Sequence, residues 1–268
     1  MPEGDTIHKI AAYLSPRLTG QRLLGVSFGS GDKTPRFRGE RVASVCARGK
    51  HLWLTFDSGE TIRSHLGMHG SWHAYPRDAA WQKPSWQASL IIDAGGQHYV
   101  CFNAKEVEVV DTRSVRERVL RSRLGPDLIA DSVDSTVLLR RAREFSNGDT
   151  LLIDALLDQR IAAGIGNVYK SEVMFIERLS PAQALSDSDD DEVQQCFATA
   201  AALLRRNLGG GKRITRFDGD TAGRLWVYNR AGKPCYECNT PVRSRRMGRH
   251  HRVTYWCPGC QAAGSAEL

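Results

Sequence analysis

Two cysteine pairs and one chain terminus hold the residues best suited to chemistry. Cys235-Tyr236-Glu237-Cys238 and Cys257-Pro258-Gly259-Cys260 are separated by eighteen residues, the spacing of a site in which four thiolates hold a single structural zinc ion. In a reducing compartment two such pairs make poor disulfides, so one zinc per chain is expected. At the other end the chain reads Met1-Pro2-Glu3-Gly4-Asp5. Removal of Met1, which the small Pro2 behind it permits, leaves residue 2 with a free secondary amine. An α-amino group titrates at about 8, against roughly 10.4 for lysine, so part of it is neutral and nucleophilic without burial. Attack by such an amine on a sugar C1′ gives a cationic iminium, an electron sink that acidifies the neighbouring C2′ hydrogen. Glu3, one residue away, can protonate the ring oxygen or the departing group. Met-Pro also opens many ordinary exposed termini, so this assignment depends on segments further along the chain.

Composition sets the frame for those segments. The 268 residues, 41% hydrophobic and 25% charged, suffice for two modest domains with cores of their own. No apolar run approaches the ~20 residues of a membrane span, and no charged leader precedes a hydrophobic stretch, so no membrane association and a bacterial cytoplasmic or nucleoid location are expected. A net charge of +7 favours a polyanionic partner. The charge is unevenly spread: from Lys212 to Arg252 eleven Lys or Arg face only Asp218, Asp220 and Glu237. Val242 to Tyr255 should form a hairpin whose Arg243, Arg245, Arg246, Arg249 and Arg252 can fork onto phosphates. Cys46, Cys101 and Cys196 stand outside the paired cluster and read as buried small hydrophobes.

The elements that position these groups follow from periodicity. Ile7, Ile10, Leu14 and Leu18 recur at helical spacing, with Asp5 or Thr6 as the expected cap and Gly20 beyond the end. From Leu23 to Val110 the pattern changes to short β-rich runs over 23–28, 41–48, 52–56, 61–65, 89–93, 98–102 and 107–111, which predicts an antiparallel sandwich. Helices are expected over 114–121, 135–145, 150–157, 167–176 and 189–207, the last capped by the acidic run Asp187 to Glu192. Gly49 supplies a turn that carries Lys50 between two strands, and Met68 lies in a loop among small and polar residues. In Asp158 to Glu172 the run Gly164-Ile165-Gly166-Asn167 permits a double turn whose backbone N–H groups favour a phosphate at a helix start.

Four of these segments together resemble the formamidopyrimidine-DNA glycosylase and endonuclease VIII family, closest to its endonuclease VIII-like branch. They are the opening Met-Pro-Glu-Gly-Asp-Thr-Ile, the Arg48-Gly49-Lys50 turn, the Asp158 to Glu172 string, and the ending Arg252 to Gln261. The resemblance implies an α+β fold. An N-terminal antiparallel β-sandwich with its helix would occupy 1–112, a helical helix-two-turn-helix domain 113–225, and a zinc ribbon hairpin 226–268. It further implies a monomeric bifunctional DNA glycosylase and abasic-site lyase acting on damaged duplex DNA. Pro2 would be the nucleophile and Glu3 the acid, with Lys50 and Arg252 at the lesion phosphate assisting β,δ-elimination. Met68 would fill the void left by a flipped nucleotide, and Arg123 and Asn167 would hold DNA phosphates. The Pro-Glu-Gly-Asp opening and the Tyr-Trp-Cys-Pro-Gly-Cys ending favour oxidised pyrimidines, as does a short Gly209 to Arg224 stretch, whereas His65-Leu66-Gly67-Met68 is similar to the 8-oxoguanine branch. A non-catalytic zinc-ribbon DNA binder would explain the charge and the cysteines but leaves the Pro2-Glu3 terminus without a purpose. Thr6 stands where a second glutamate is common in that branch, and no Gln-Leu-Tyr wedge is present.

Overall fold

The computed structural model describes residues 2–32, 36–114, 122–217 and 223–261, in two compact units, 1–122 and 123–268. Most of the helix expected over 114–121, and residues 218–222 of the 209–224 stretch, lie outside the described residues.

In the first unit, α1 (Gly4–Leu18) buries Ile7, Ala11, Leu14 and Leu18 along one stripe. Ile7, Leu14 and Leu18 each contribute roughly 1.5–3 kcal/mol on burial. The helix begins earlier than its periodicity suggests. Its N-cap is Glu3, whose backbone N–H donates to Thr6 Oγ1 at 3.5 Å, so Asp5 and Thr6 belong to the first turn rather than to the cap. The strands that follow are β1 (Gly25–Ser27), β2 (Val42–Arg48), β3 (His51–Phe56) and β4 (Glu60–His65). They are joined by β5 (Ser71–Pro76), β6 (Ala88–Asp93), β7 (Gln97–Phe102) and β8 (Glu106–Asp111). Two antiparallel sheets result, ordered β1-β6-β7-β5 and β2-β3-β4-β8. Val26, Leu90, Ile92 and Cys101 from the first share one core with Leu52, Leu54, Phe56 and Ile62 from the second and with the α1 stripe.

Two expectations are corrected here. Strand β5 was not among the expected runs: Ser71-Trp72-His73-Ala74-Tyr75-Pro76 contains no branched aliphatic residue and ends on proline, and pairing with β7 supplies what propensity does not. Cys46 is exposed, whereas Cys101 and Cys196 are buried. It lies on β2, an edge strand whose pairing with β3 is irregular between Val42 and Ser44.

The second unit packs α2 (Ser135–Phe145), α3 (Leu152–Leu157), α4 (Asn167–Ile176) and α5 (Asp190–Arg206) around Leu156, Ile161, Tyr169, Val173 and Phe197. Asp189 caps α5 reciprocally with Glu192: the Glu192 N–H donates to Asp189 Oδ1 at 2.7 Å and the Asp189 N–H to Glu192 Oε2 at 3.3 Å. A hairpin of β9 (Arg243–Met247) and β10 (Arg252–Trp256) follows. It belongs to the same compact unit as the helices, because Val242, Cys235 and Cys257 bury against Phe175 of α4 and Val227.

Candidate active site

Pro2 is half-buried and Glu3 is fully buried at the start of α1. Beyond the helix's other end, Gly20 N–H donates to Val42 O at 2.8 Å, at the beginning of the strand along which α1 packs. The amino terminus therefore points towards the opposite end of β2. There Arg48 pairs with His51, and Gly49, at φ 57°, and Lys50 make the two-residue turn. His51 in turn pairs with His65, after which the chain enters the Met68 loop. Lys50 and Met68 thus sit at one end of one sheet.

The Met68 loop is shaped by its glycines. Gly67 has φ 63°, and a Cβ there would come within 2.8 Å of Lys105 Cβ. A Cβ on Gly70 would come within 2.5 Å of the Leu66 carbonyl, which already accepts the Gly70 N–H at 3.0 Å. Leu66 is buried at the base, while Met68 is 53% exposed at the tip. An exposed, unbranched apolar side chain on a tight loop is the form a base-stack wedge requires.

In the second unit the double turn is stapled from within. Gln159 Nε2 donates to Leu157 O at 2.8 Å and Ile165 O at 3.0 Å, and its Oε1 accepts the Gly164 N–H at 3.1 Å. Gly125 passes so close to this turn that a Cβ would lie 2.5 Å from the Arg160 and Ile161 carbonyls. Arg123, two residues earlier, is exposed. Asn167 opens α4, and its side chain is already engaged by the protein: Nδ2 donates to Val253 O at 2.7 Å and Oδ1 accepts from Lys170 Nζ at 2.8 Å. Lys170 is fully buried and also donates to Thr254 Oγ1 at 2.7 Å, so the helix start and the strand that carries Arg252 are one polar assembly.

Sequence reasoning passed over Lys170 and two carboxylates. Glu172 is fully buried and accepts from Thr215 Oγ1 and from the N–H groups of Trp226 (2.7 Å), Val227 (2.9 Å) and Tyr228 (2.8 Å). Burial pushes its carboxyl up, opposed by those four donors. Asp154 accepts the Arg249 N–H with both oxygens, at 3.0 and 3.1 Å, fastening the hairpin tip to α3. Arg249 itself donates to Asn147 Oδ1 and, at 2.9 Å, to Thr150 Oγ1, so it is committed to the protein rather than offered to phosphate. Arg243, Arg245, Arg246 and Arg252 are exposed. Their charge was legible in the sequence, whereas the diversion of Arg249 depends on a tertiary contact.

The four cysteine Sγ atoms lie within 4.8 Å of one another, with Cys238 to Cys257 at 3.3 Å, Cys238 to Cys260 at 3.4 Å and Cys235 to Cys260 at 3.8 Å. Thiolates placed tetrahedrally at about 2.3 Å from an ion stand ~3.8 Å apart, so this donor set fits a closed metal site. Each pair is wound on its own backbone: Asn239 N–H donates to Cys235 O at 3.1 Å, and Gln261 N–H to Cys257 O at 2.9 Å. A Cβ on Gly259 would lie 3.0 Å from Cys238 Sγ, so the knuckle requires glycine there.

Residues 1–136 match the family model of the formamidopyrimidine-DNA glycosylase N-terminal domain, and residues 124–218 that of the formamidopyrimidine-DNA glycosylase H2TH domain. A protein of Streptomyces coelicolor named probable endonuclease 8 2 is 34% identical, over 98% of this chain and 94% of its own length. The DNA-(apurinic or apyrimidinic site) lyase Nei2 of Mycolicibacterium smegmatis is also 34% identical, over 98% of this chain and its full length. Among solved structures, the Lactococcus lactis formamidopyrimidine-DNA glycosylase bound non-covalently to abasic-site DNA superposes with a TM-score of 0.80 at 20% identity, covering 98% of this chain and 100% of that one.

Proposed function

The chain belongs to the formamidopyrimidine-DNA glycosylase and endonuclease VIII family and is a DNA glycosylase with abasic-site lyase activity in base excision repair; from that premise we propose that Pro2 is its nucleophile and oxidised pyrimidines its substrates. The observation that carries the mechanism is the placement of a buried carboxylate, Glu3, as the cap of the helix that presents residue 2. With Met1 removed, the Pro2 nitrogen attacks C1′ of a flipped nucleotide while Glu3 delivers a proton and the base departs. The Pro2 nitrogen loses its proton, the C1′–O4′ bond opens as the ring oxygen takes one up, and the resulting iminium draws electron density from C2′, whose proton is lost as the 3′ phosphate leaves. A second elimination expels the 5′ phosphate. Lys50 and Arg252 hold the lesion phosphates, each bringing a cation to a leaving oxyanion. Met68 fills the vacated stack, and Arg123 contacts the DNA backbone. Asn167 meets a phosphate through the N–H groups at the start of α4 together with the amide hydrogen not given to Val253.

The preference for pyrimidines is supported by the identity with proteins named endonuclease 8 along nearly the whole chain. In a glycosylase panel on duplexes with single defined lesions, thymine glycol and 5-hydroxycytosine should be released at least about tenfold faster than 8-oxoguanine, a difference of ~1.4 kcal/mol in barrier. The reverse order would transfer the chain to the purine-directed reading that its His-Leu-Gly-Met segment suggests.

Cys235, Cys238, Cys257 and Cys260 hold one zinc ion, whose part is to close the ribbon and not to take part in bond breaking. Since Cys235 and Cys257 also pack against Phe175, removing the ion opens an apolar cluster as well as a coordination shell. Elemental analysis should find one zinc per chain, and Cys257→Ser should lose it, weaken binding to damaged duplex by at least about tenfold, and leave the melting of the N-terminal unit unchanged. A metal-free preparation of full activity would contradict this assignment.

A further inference from the structure

Strands β3, β4 and β8 carry two adjacent cross-strand rows on the face turned away from the core. The first is His51, His65 and Glu106, and the second is Trp53, Arg63 and Glu108. Leu52, Leu54 and Ile62 point to the other side and fill the core. The first row is the last before the sheet ends. Lys50 precedes His51, the Met68 loop follows His65, and Lys105, whose side chain backs Gly67, precedes Glu106.

Arg63 reaches from the second row across the first. Its Nε donates to Glu108 Oε1 at 2.6 Å, its Nη2 to Glu106 Oε2 at 2.8 Å, and its Nη1 to His51 Nδ1 at 2.7 Å. The side chain is 8% exposed. Because a guanidinium only donates, His51 Nδ1 is the acceptor and the ring proton sits on Nε2. One planar group therefore ties β3, β4 and β8 together at the end from which both loops spring. A buried ion network of this kind is commonly no more stabilising than well-packed apolar side chains of the same volume, so stability alone does not account for it. A fixed geometry does.

We infer that Arg63 is a positioning residue for strand cleavage, a strut that sets the Lys50 turn and the Met68 loop in the relative placement the reaction uses. The inference rests on the reading of Lys50 as a phosphate contact in the elimination steps. Its electrostatic side is consistent. Burial, then the His65 ring and the Arg63 cation, push His51 down to about 3, and burial pushes His65 down to about 4. Glu106, which burial alone would raise, is held below the usual carboxylate range by its bonds to Arg63 and Lys105. The groups facing His51 are thus His65 and Arg63 from β4, Glu106 from β8 and Lys50 from its own turn, while Lys105 acts on His65 and Glu106. With Arg63 in place, no second cation forms beside Lys50 anywhere near neutral pH.

Single-turnover cleavage of abasic duplex, with β and δ products resolved, tests this. Arg63→Gln should still form the borohydride-trapped adduct to full amplitude, while elimination slows about tenfold and the share of δ product falls. It should also gain an acid limb. Without the cation, His51 loses one repulsive neighbour while Glu106 remains across the row, so its ring protonates at a higher pH than in wild type, still held below the ordinary imidazole range by burial and by His65, and its charge then stands beside Lys50. Adding His51→Gln to Arg63→Gln should abolish that limb, and Arg63→Lys should lie between wild type and Arg63→Gln in rate. An Arg63→Gln enzyme with the product ratio and pH profile of wild type would overturn the inference. If Arg63→Gln does not fold, imidazole nitrogen shifts of the wild-type protein decide: a His51 that titrates near pH 6, or carries its proton on Nδ1, is incompatible with the strut. Loss of trapping in wild type would instead remove the functional reading, and a Lys50→Ala variant that cleaves slowly beside a normal Arg63→Gln would remove only this inference.

Discussion

A protein that keeps one extra residue ahead of Pro2 should bind abasic duplex with unchanged affinity and neither cleave it nor be trapped on it. An added residue turns the Pro2 nitrogen into an amide, whose lone pair is delocalised and no longer nucleophilic, and it alters no side chain of Glu3, Lys50 or Asn167. Loss of the nucleophile should lower cleavage by at least about a thousandfold, equivalent to ~4 kcal/mol of barrier. The expected control is wild type reduced by borohydride on abasic DNA, giving a covalent adduct that peptide mapping assigns to residue 2. Pro2→Gly is a weaker probe, since it leaves a primary amine that can still form an imine. Because Glu3 caps α1 and its N–H is tied to Thr6, the chain beyond residue 2 has its own reasons to stay folded when the terminus is extended. Normal trapping by the extended protein would move the nucleophile to a side-chain amine, with Lys50, on the turn towards which the terminus points, the first to test.

What could be read from the sequence was whatever is encoded within a few residues. Ile7, Leu14 and Leu18 on α1, the alternation along β6, and the two CxxC knuckles are local patterns, and the structure contains the elements they announce. Strand β5 was missed because it has no branched aliphatic residue and only Trp72 and Tyr75 to favour a strand, and its pairing partner, β7, lies more than twenty residues further along. The cap of α1 was misplaced because Glu is not a favoured cap residue, yet here it forms a reciprocal capping box with Thr6. The candidate site shows the same division. Pro2, Glu3, Lys50 and the cysteines stand in recognisable strings. Arg63, Asp154, Lys170 and Glu172 do not, since a lone charged residue reads as solvated until the fold shows it buried and hydrogen-bonded. Arg249 is the converse case, an arginine in a basic run whose fork the protein uses on itself.

Glu3→Gln should separate the two activities that Pro2 supports. Glutamine keeps the shape of the side chain and the backbone bond from residue 3 to Thr6 Oγ1, so α1 should remain capped and the protein folded. What it removes is the group that would pass a proton to the substrate from a fully buried position at the start of that helix. Expelling an intact base needs that proton, and the loss of general acid catalysis should slow excision from a lesion-bearing duplex by about 10²–10⁴-fold. A preformed abasic site has no base to expel, and its ring-opened sugar presents an aldehyde to the amine. On that substrate cleavage should fall by no more than about tenfold. The ratio of the two rates, measured in single turnover on otherwise identical duplexes, is the deciding quantity because any partial unfolding lowers both alike. Equal losses on both substrates would assign Glu3 to forming or resolving the iminium rather than to base departure. Unchanged excision would pass the acid role to Asp5, the other buried carboxylate of the first turn, for which Asp5→Asn is the corresponding test.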